Sequence, residues 1–446
     1  MMRSLFSGVA GLKTHQTRMD VIGNNIANVN TVGYKSAQVT FRDLMYQNTS
    51  NATGPNDATG KAGVNAKQIG LGVTTAAIYS NIASAGAAET TGNPFDIRLN
   101  DSSFFLVNQG NQRYYTRSGA FTVDTSGTLC MSSNGFKVQG YQTETDATTG
   151  EVRLTGTVGD LKIMSDLTSP AKATTNGYIT GILDSYDDAL SSDNGKIVTA
   201  QIYDNEGFRY TISFSLKPTD TSDTRDPRDG KYTLSVNKLL DPDGNEVALT
   251  DAQKSGLISD GALEFDTTDG SLSTPTSGEV TVSMTSISGV NAAFTDDIVF
   301  DLSTLMNVDN KGTSTCSGGN GGTDNTTGSG WPVGTMSSVS VGTDGKITGS
   351  YTNGQTKLLG QIVTATFSNA SGLEKAGENL YLESLNSGQP SVSGNGDMAT
   401  GELEMSNVDL SSEFTSMITT QRGFQANSRI ITVSDTLLEE LINLKR

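Results

Sequence analysis

The residue types from which active sites are built are scarce in this chain of 446 residues. It holds one histidine, His15, and two cysteines, Cys130 and Cys316. A Ser–His–Asp triad or a multi-histidine metal centre would have to use that one imidazole. His15 lies inside a heptad-patterned segment, where a place on a helix surface is the simpler reading. The cysteines lack the spacing for zinc or redox work. Two free thiols are expected, with a disulfide between them as the alternative. Asp241, Asp243 and Asn245 alternate as some calcium ligands do, yet the other ligands of a calcium loop are missing, so an acidic hairpin is expected. Gly54 to Lys61 faintly suggests a phosphate-binding loop. Its glycine spacing is one residue too long, and Ala62 stands where Ser or Thr would hold magnesium. Arg117 reads as a solvated strand residue, and Trp331 beside Pro332 as packing against a return strand. The expectation is a protein that is not an enzyme, with no catalytic, cofactor-binding or metal site.

Charge narrows the partners. Lys and Arg number 30 against 48 Asp and Glu, a net charge of −18, which opposes broad contact with nucleic acid or anionic membrane. Gly alone supplies 50 residues while charged residues are 17% of the chain, so the polarity comes largely from small residues suited to sheet and turns. No run of 18 apolar residues exists, so membrane insertion is not expected. Leu5 to Leu12 imitates a secretory signal, but Lys13 and His15 cut it short and no cleavage site follows. Export, if it occurs, is expected without a cleaved signal peptide.

The elements that could organise such a chain are its two ends. In the last 46 residues, Gly401–Arg446, Leu410, Met417, Phe424, Ile431 and Leu438 recur in steps of seven. A second stripe runs through Phe414, Ile430, Leu437, Leu441 and Leu444. This predicts a helix from about Leu403 to Leu444, with Ser406 or Asn407 as its N-cap. At the other end Leu5, Leu12, Met19 and Ile26 repeat likewise, with Val9 between, though Gln16 and Gly23 weaken the seam. Two readings stay open. The helices cap an ordinary core, or they form a coiled-coil stalk whose seams are completed by neighbouring copies. Residues 46–75 read as an extended connector. From Phe95 to Tyr141 the apolar period drops to two, predicting an antiparallel meander. Residues 151–340 read as a β-rich insertion, with Phe208, Tyr210, Ile212, Phe214 and Leu216 alternating along a half-buried strand.

Several stretches go beyond pattern. Asn24, Asn25, Asn28, Asn30, Thr31, Gly33 and Tyr34 lie in one short run ending at Lys35. Phe104–Phe105, Tyr115 to Phe121 and Asp124 to Gly127 follow. Near the end come Gly401 to Glu404, Ser406 to Leu410, and Gln421 and Arg422. These resemble the motifs of bacterial flagellar rod and hook axial proteins, over roughly 1–45, 86–150 and 339–446. The large insertion and the segment Asp344–Gln355 resemble hook proteins more than rod proteins.

That resemblance implies a mainly β, nested multidomain protein with long terminal helices. Residues 1–45 with 404–446 would form a helical coiled-coil inner domain, and 46–85 an extended connector. Residues 86–150 with 339–403 would form a β-rich middle domain, and 151–338 a β-rich outer insertion domain. The implied function is a structural subunit of the flagellar hook, polymerising into a curved, flexible tube that transmits torque from rod to filament. Its partners would be further copies of itself, the rod, hook cap, hook–filament junction and hook-length control proteins, and the export apparatus. Its place would be the extracellular hook at the basal body. The assembly interface is expected at Leu5, Val9, Leu12, Met19, Ile26, Leu410, Phe414, Met417, Phe424, Ile431, Leu438 and Leu441. A distal rod or hook–filament junction protein is the nearest alternative, and a secreted carbohydrate-binding or adhesive β protein the alternative of another class.

Overall fold

The computed structural model describes residues 2–55, 60–145, 152–164, 167–220, 229–287, 294, 296–322 and 327–444. The fold is mainly β, with a helix near each end. The helices are α1 (Met2–Ala27), the short α2 (Asp251–Gly256) and α3 (Leu410–Asn443). At about 1.5 Å per residue the 34 residues of α3 reach about 50 Å.

The C-terminal helix begins later than the apolar pattern suggests. Its cap is Asp409, whose carboxylate accepts from the Ser411 amide at 3.0 Å. Leu403 lies instead in the strand Glu402–Glu404, paired with Ala88–Thr90. Asn407 does not cap, because its side chain is engaged elsewhere: it accepts from Ser36 N and donates to the Asn81 carbonyl, both at 2.8 Å.

The chain divides into two compact units. One comprises Met1–Ser165, Val339–Gly349 and Lys357–Arg446, the other Asp166–Ser338 and Ser350–Thr356. In the first unit the run Phe104, Phe105, Leu106, Val107 is buried on both faces, as an uninterrupted apolar run requires of a strand. This strand, Phe104–Gln109, turns at Gly110 (φ 65°) into Gln112–Thr116, with Gln109 facing Gln112. The positive φ is the reason for glycine in so short a hairpin. The late segment of the chain joins the same sheet, with Thr364 opposite Phe105 and Leu380 opposite Thr116. Phe104, Leu106, Tyr115, Val363, Ala365 and Tyr381 form the core there. Phe104 meets Tyr381 edge-on at 5.6 Å, and Tyr115 meets Phe367 at 4.8 Å.

The segment expected as an extended connector doubles back on itself. Ala37–Asp43 pairs with Val73–Ser80, and Tyr46–Ser50 with Lys67–Gly70. Every residue of Tyr46–Ser50 and Lys67–Gly70 is exposed, so no apolar alternation marks this outer ribbon in the sequence.

The second unit has its own core. An antiparallel meander, Lys196–Tyr203, Arg209–Pro218, Lys231–Leu240 and Ala262–Phe265, buries Ile202, Ile212, Phe214, Leu216 and Tyr232. Tyr210 to Leu216 alternate inward as expected. Ser213 and Ser215 are buried too, so this strand is covered on both sides, while Phe208 lies exposed before it. A further sheet is organised on Asn176–Leu183, which pairs in parallel with Ile298–Asp301 and Leu305–Asn307. The Asp241–Asn245 loop is a hairpin turn: Asp241 Oδ1 accepts from the amides of Asp243 and Asn245. Trp331 bridges Lys172, whose ammonium lies 5.1 Å from the ring centroid.

Candidate functional site

The asparagine-rich run from the last turn of α1 onward is a clamp between the two ends of the chain. Asn25 is 1% exposed. Its amide donates to the Ala37 carbonyl and to Glu413 of α3, both at 2.9 Å. Its carbonyl oxygen accepts from the Ala37 amide at 3.0 Å and the Tyr34 hydroxyl at 3.2 Å. Asn24 donates to that hydroxyl at 3.1 Å, and Thr31 donates to Asn28 at 3.1 Å. Burial, and then the Glu413 carboxylate, push the Tyr34 hydroxyl above its ordinary pKa. Gly33 has φ 70°, and a Cβ there would meet Ser118 N at 2.7 Å, so close packing and backbone both require glycine. Its amide donates to the Glu404 carbonyl at 2.7 Å. Asn30 is exposed, as are Gln421 and Arg422 on α3.

Beneath the clamp lies a buried charge cluster. Arg117 was expected in solvent; it is 2% exposed, and Lys35 and Glu404 are 1% exposed each. Lys35 Nζ stands 2.7 Å from Glu404 Oε1 and donates to the Ser84 carbonyl at 2.7 Å. The Gly86 amide donates to the same carboxylate oxygen at 3.0 Å. Arg117 donates through one terminal nitrogen to the carbonyls of Asp101 (2.7 Å) and Ser103 (2.8 Å) and packs over Phe104. Its Nε is 3.6 Å from Glu404 Oε2, an ion-pair distance at which neither atom has a hydrogen-bond partner. Burial holds the Lys35 ammonium below the ordinary lysine value; the Glu404 carboxylate opposes this and the Arg117 charge adds to it. Sequence reasoning quoted all three residues within motifs but gave none a role. Each lies within a motif stretch, but nothing in its type or spacing marks it as buried.

The two long helices pack antiparallel through small and polar residues. The buried positions are Gly8, Gly11, Thr14, Ile22 and Asn25 on α1, and Thr420 and Ser434 on α3. A Cβ on Gly8 would lie 3.2 Å from Ile431, one on Gly11 2.5 Å from Asn427, and one on Gly423 2.7 Å from the His15 ring. His15 is therefore not a surface residue. It is half-buried between Gly423 and the edge of Phe41, and its Nδ1 has no hydrogen-bond partner. Burial, and secondarily the charge of Arg18, hold its pKa below the ordinary value.

The large apolar residues of the predicted interface are covered to different degrees. Leu5, Leu12, Met19, Ile26, Met417, Ile431 and Leu438 are half-buried, while Val9, Leu410, Phe414, Phe424 and Leu441 are exposed. Phe414 keeps 50% and Leu437 51% of its surface. Among the described residues no group of three or more His, Cys, Asp and Glu side chains is placed to hold a metal ion. No described helix is long and apolar enough to cross a membrane. Cys130 and Cys316 are free thiols, and burial pushes that of Cys316 up to about 11.

Comparison with known proteins defines the class. Residues 5–35 match the family described as flagella basal body rod protein. Residues 99–175 match the flagellar hook protein FlgE/F/G D1 domain, and 399–444 the flagellar basal body rod FlgEFG protein C-terminal family. The clamp, the Arg117 stretch and α3 each fall within one of these matches, which together mark a flagellar axial protein. The chain is 37% identical to the flagellar hook protein FlgE of Treponema pallidum (strain Nichols) over 479 residues, covering 100% of both chains. It is 35% identical to the flagellar hook protein FlgE of Borreliella burgdorferi over 469 residues, again covering 100% of each. A flagellar basal-body rod protein FlgG, from Bacillus subtilis, is 29% identical over 453 residues, with 100% of each covered. The chain belongs to the flagellar hook protein FlgE family, the structural subunits of the hook.

Proposed function

We propose that copies of this chain polymerise through the outward flanks of α1 and α3 into the tube of the hook, which bends as it transmits torque. One observation carries the reading. The helices meet each other largely through glycine, serine, threonine, histidine and asparagine, and leave Val9, Leu410, Phe414, Phe424, Ile430, Leu437 and Leu441 exposed. Advancing about 100° per residue, Leu410 and Phe414 fall on one flank of the face marked by Thr420 and Ser434. Ile430, Leu437 and Leu444 fall on the other, further along the axis. Two unlike apolar flanks at different heights suit head-to-tail contacts, which close into rings or continue as helical tubes. Burying the half of Phe414 or Leu437 that is still exposed contributes roughly 1 kcal/mol each, enough in repetition to hold an inner coiled-coil layer together.

In this reading the β regions are nested outside that layer, and 151–338 is the outermost domain. Its Ser, Thr and Asn-rich composition would supply the weakly committed contacts that let neighbours slide. The subunit acts without catalysis, outside the cell. It meets the rod, cap, junction and length-control proteins there. The test is to substitute Phe414→Asp and Leu437→Asp separately and examine concentrated protein by electron microscopy and sedimentation. Each variant should keep its β circular dichroism and form no tubes, because an unpaired charge would be buried at the contact. Tubes of ordinary length from either variant would refute the two-flank assembly.

A further inference from the structure

The cluster of Lys35, Arg117 and Glu404 joins segments that are remote in the chain, and its charge does not balance. Two cations share one carboxylate, and all three groups are almost fully buried. Each belongs to a different part of the first unit. Lys35 closes the arm that leads from α1, Glu404 lies in the strand that leads into α3, and Arg117 follows the strand Gln112–Thr116 of the sheet. The carboxylate is also the acceptor for the Gly86 amide, and the carbonyl of the same residue accepts from Gly33. The backbones approach closely here as well, since a Cβ on Gly86 would lie within 1.8 Å of the Met405 carbonyl oxygen. Residue 404 thus serves the N-terminal arm, the 84–86 loop and the β body at once.

We infer that Glu404 is a latch that makes docking of the two terminal arms a single event. Without its carboxylate in place, closing the N-terminal arm would bring the Lys35 ammonium beside the Arg117 guanidinium in a site sealed from water. Two like charges buried together without a counter-ion oppose that closure. With Glu404 docked the same closure is favoured. Neither arm is held alone, so α1 and α3, far apart in sequence, are delivered to the same side of the body together. The inference rests on intramolecular contacts only and is independent of how copies assemble.

Three variants of the full chain, followed by amide hydrogen exchange, test it. In Glu404→Gln the side chain keeps its shape but leaves two unpaired cations. Exchange at the Gly33 and Met405 amides, one in each arm, should quicken more than about 100-fold. Lys35→Met leaves the Arg117–Glu404 pair intact and should cost about tenfold or less. The double variant Lys35→Met/Glu404→Gln should be slower to exchange than Glu404→Gln alone, recovering to within about tenfold of the parent. A purely packing role predicts the opposite, with the double variant at least as open as the worse single one, and that result would overturn the latch. So would opening of only one arm in Glu404→Gln. If Glu404→Gln does not fold at all, recovery of folding in the double variant supports the latch and its failure overturns it.

Discussion

Replacing Gly423 by alanine should weaken the α1–α3 pair, although the same change usually strengthens a helix. Within an isolated helix Gly→Ala stabilises by about 1 kcal/mol. At Gly423 the new methyl would lie 2.7 Å from His15 Cε1 and 2.8 Å from Nε2, inside the distance at which carbon atoms pack. Moving the imidazole aside would give up its present packing. It stands on α1 in a T-shaped contact with Phe41, ring centroids 5.8 Å apart. Forcing such a shift costs about 1–3 kcal/mol, so the net effect runs from nothing to a loss of about 2 kcal/mol. Gly23 is the internal control, because a Cβ there meets nothing within 4 Å. Gly23→Ala should therefore keep the whole gain of about 1 kcal/mol. The two variants should differ by about 1–3 kcal/mol, Gly23→Ala being the more stable, read as the midpoint of thermal helix loss by far-ultraviolet circular dichroism. Adding His15→Ala to Gly423→Ala should remove the penalty. If Gly423→Ala were as stable as Gly23→Ala, the close helix contact through small residues would be wrong.

Two further outcomes follow from the same contacts. His15 has a pKa held below the free value near 6.5. Between those two values the unfolded chain takes up a proton that the packed helices refuse, so stability falls as the pH drops through about 6.5 and levels off below the folded pKa. Acid titration of helix content in the parent and in His15→Asn should give a downward slope for the first and a flatter one for the second. Asn25→Ala strips partners from both polar groups of Ala37 and from Glu413, and should cost about 1–3 kcal/mol in denaturant melts. The exposed Asn30→Ala should stay within about 0.5 kcal/mol; equal losses at the two sites would contradict the clamp.

What was legible in the sequence was whatever repeats or punctuates. Heptads gave both long helices, and the alternation from Tyr210 to Leu216 together with turn signals such as Gly110 gave strands and hairpins. The start of α3 was misplaced because Ser406 and Asn407 are good caps in isolation. Only the fold shows that Asn407 is already committed to Ser36 and Asn81, each more than 300 residues away along the chain. The ribbon of Tyr46–Ser50 with Lys67–Gly70 left no trace, since a strand exposed on both faces carries no burial pattern.

The helix seam shows the deeper limit. Counting large apolar residues locates surfaces that must be covered, but does not say by what. Within one chain the two helices approach most closely at small residues such as Gly8, Gly11, Thr420 and Ser434, which a hydrophobicity pattern ignores. Small side chains let two backbones come close and leave the bulky neighbours on the flanks. Burial of Lys35, Arg117 and Glu404 was invisible for a related reason. A lone charge in a sequence defaults to solvent, and each becomes tolerable inside only because the other two arrive from elsewhere in the chain. Stretches with no apolar periodicity in one dimension are where the ends of the molecule are tied to each other. Of the apolar seam, Val9, Leu410, Phe414, Phe424 and Leu441 are what it keeps exposed.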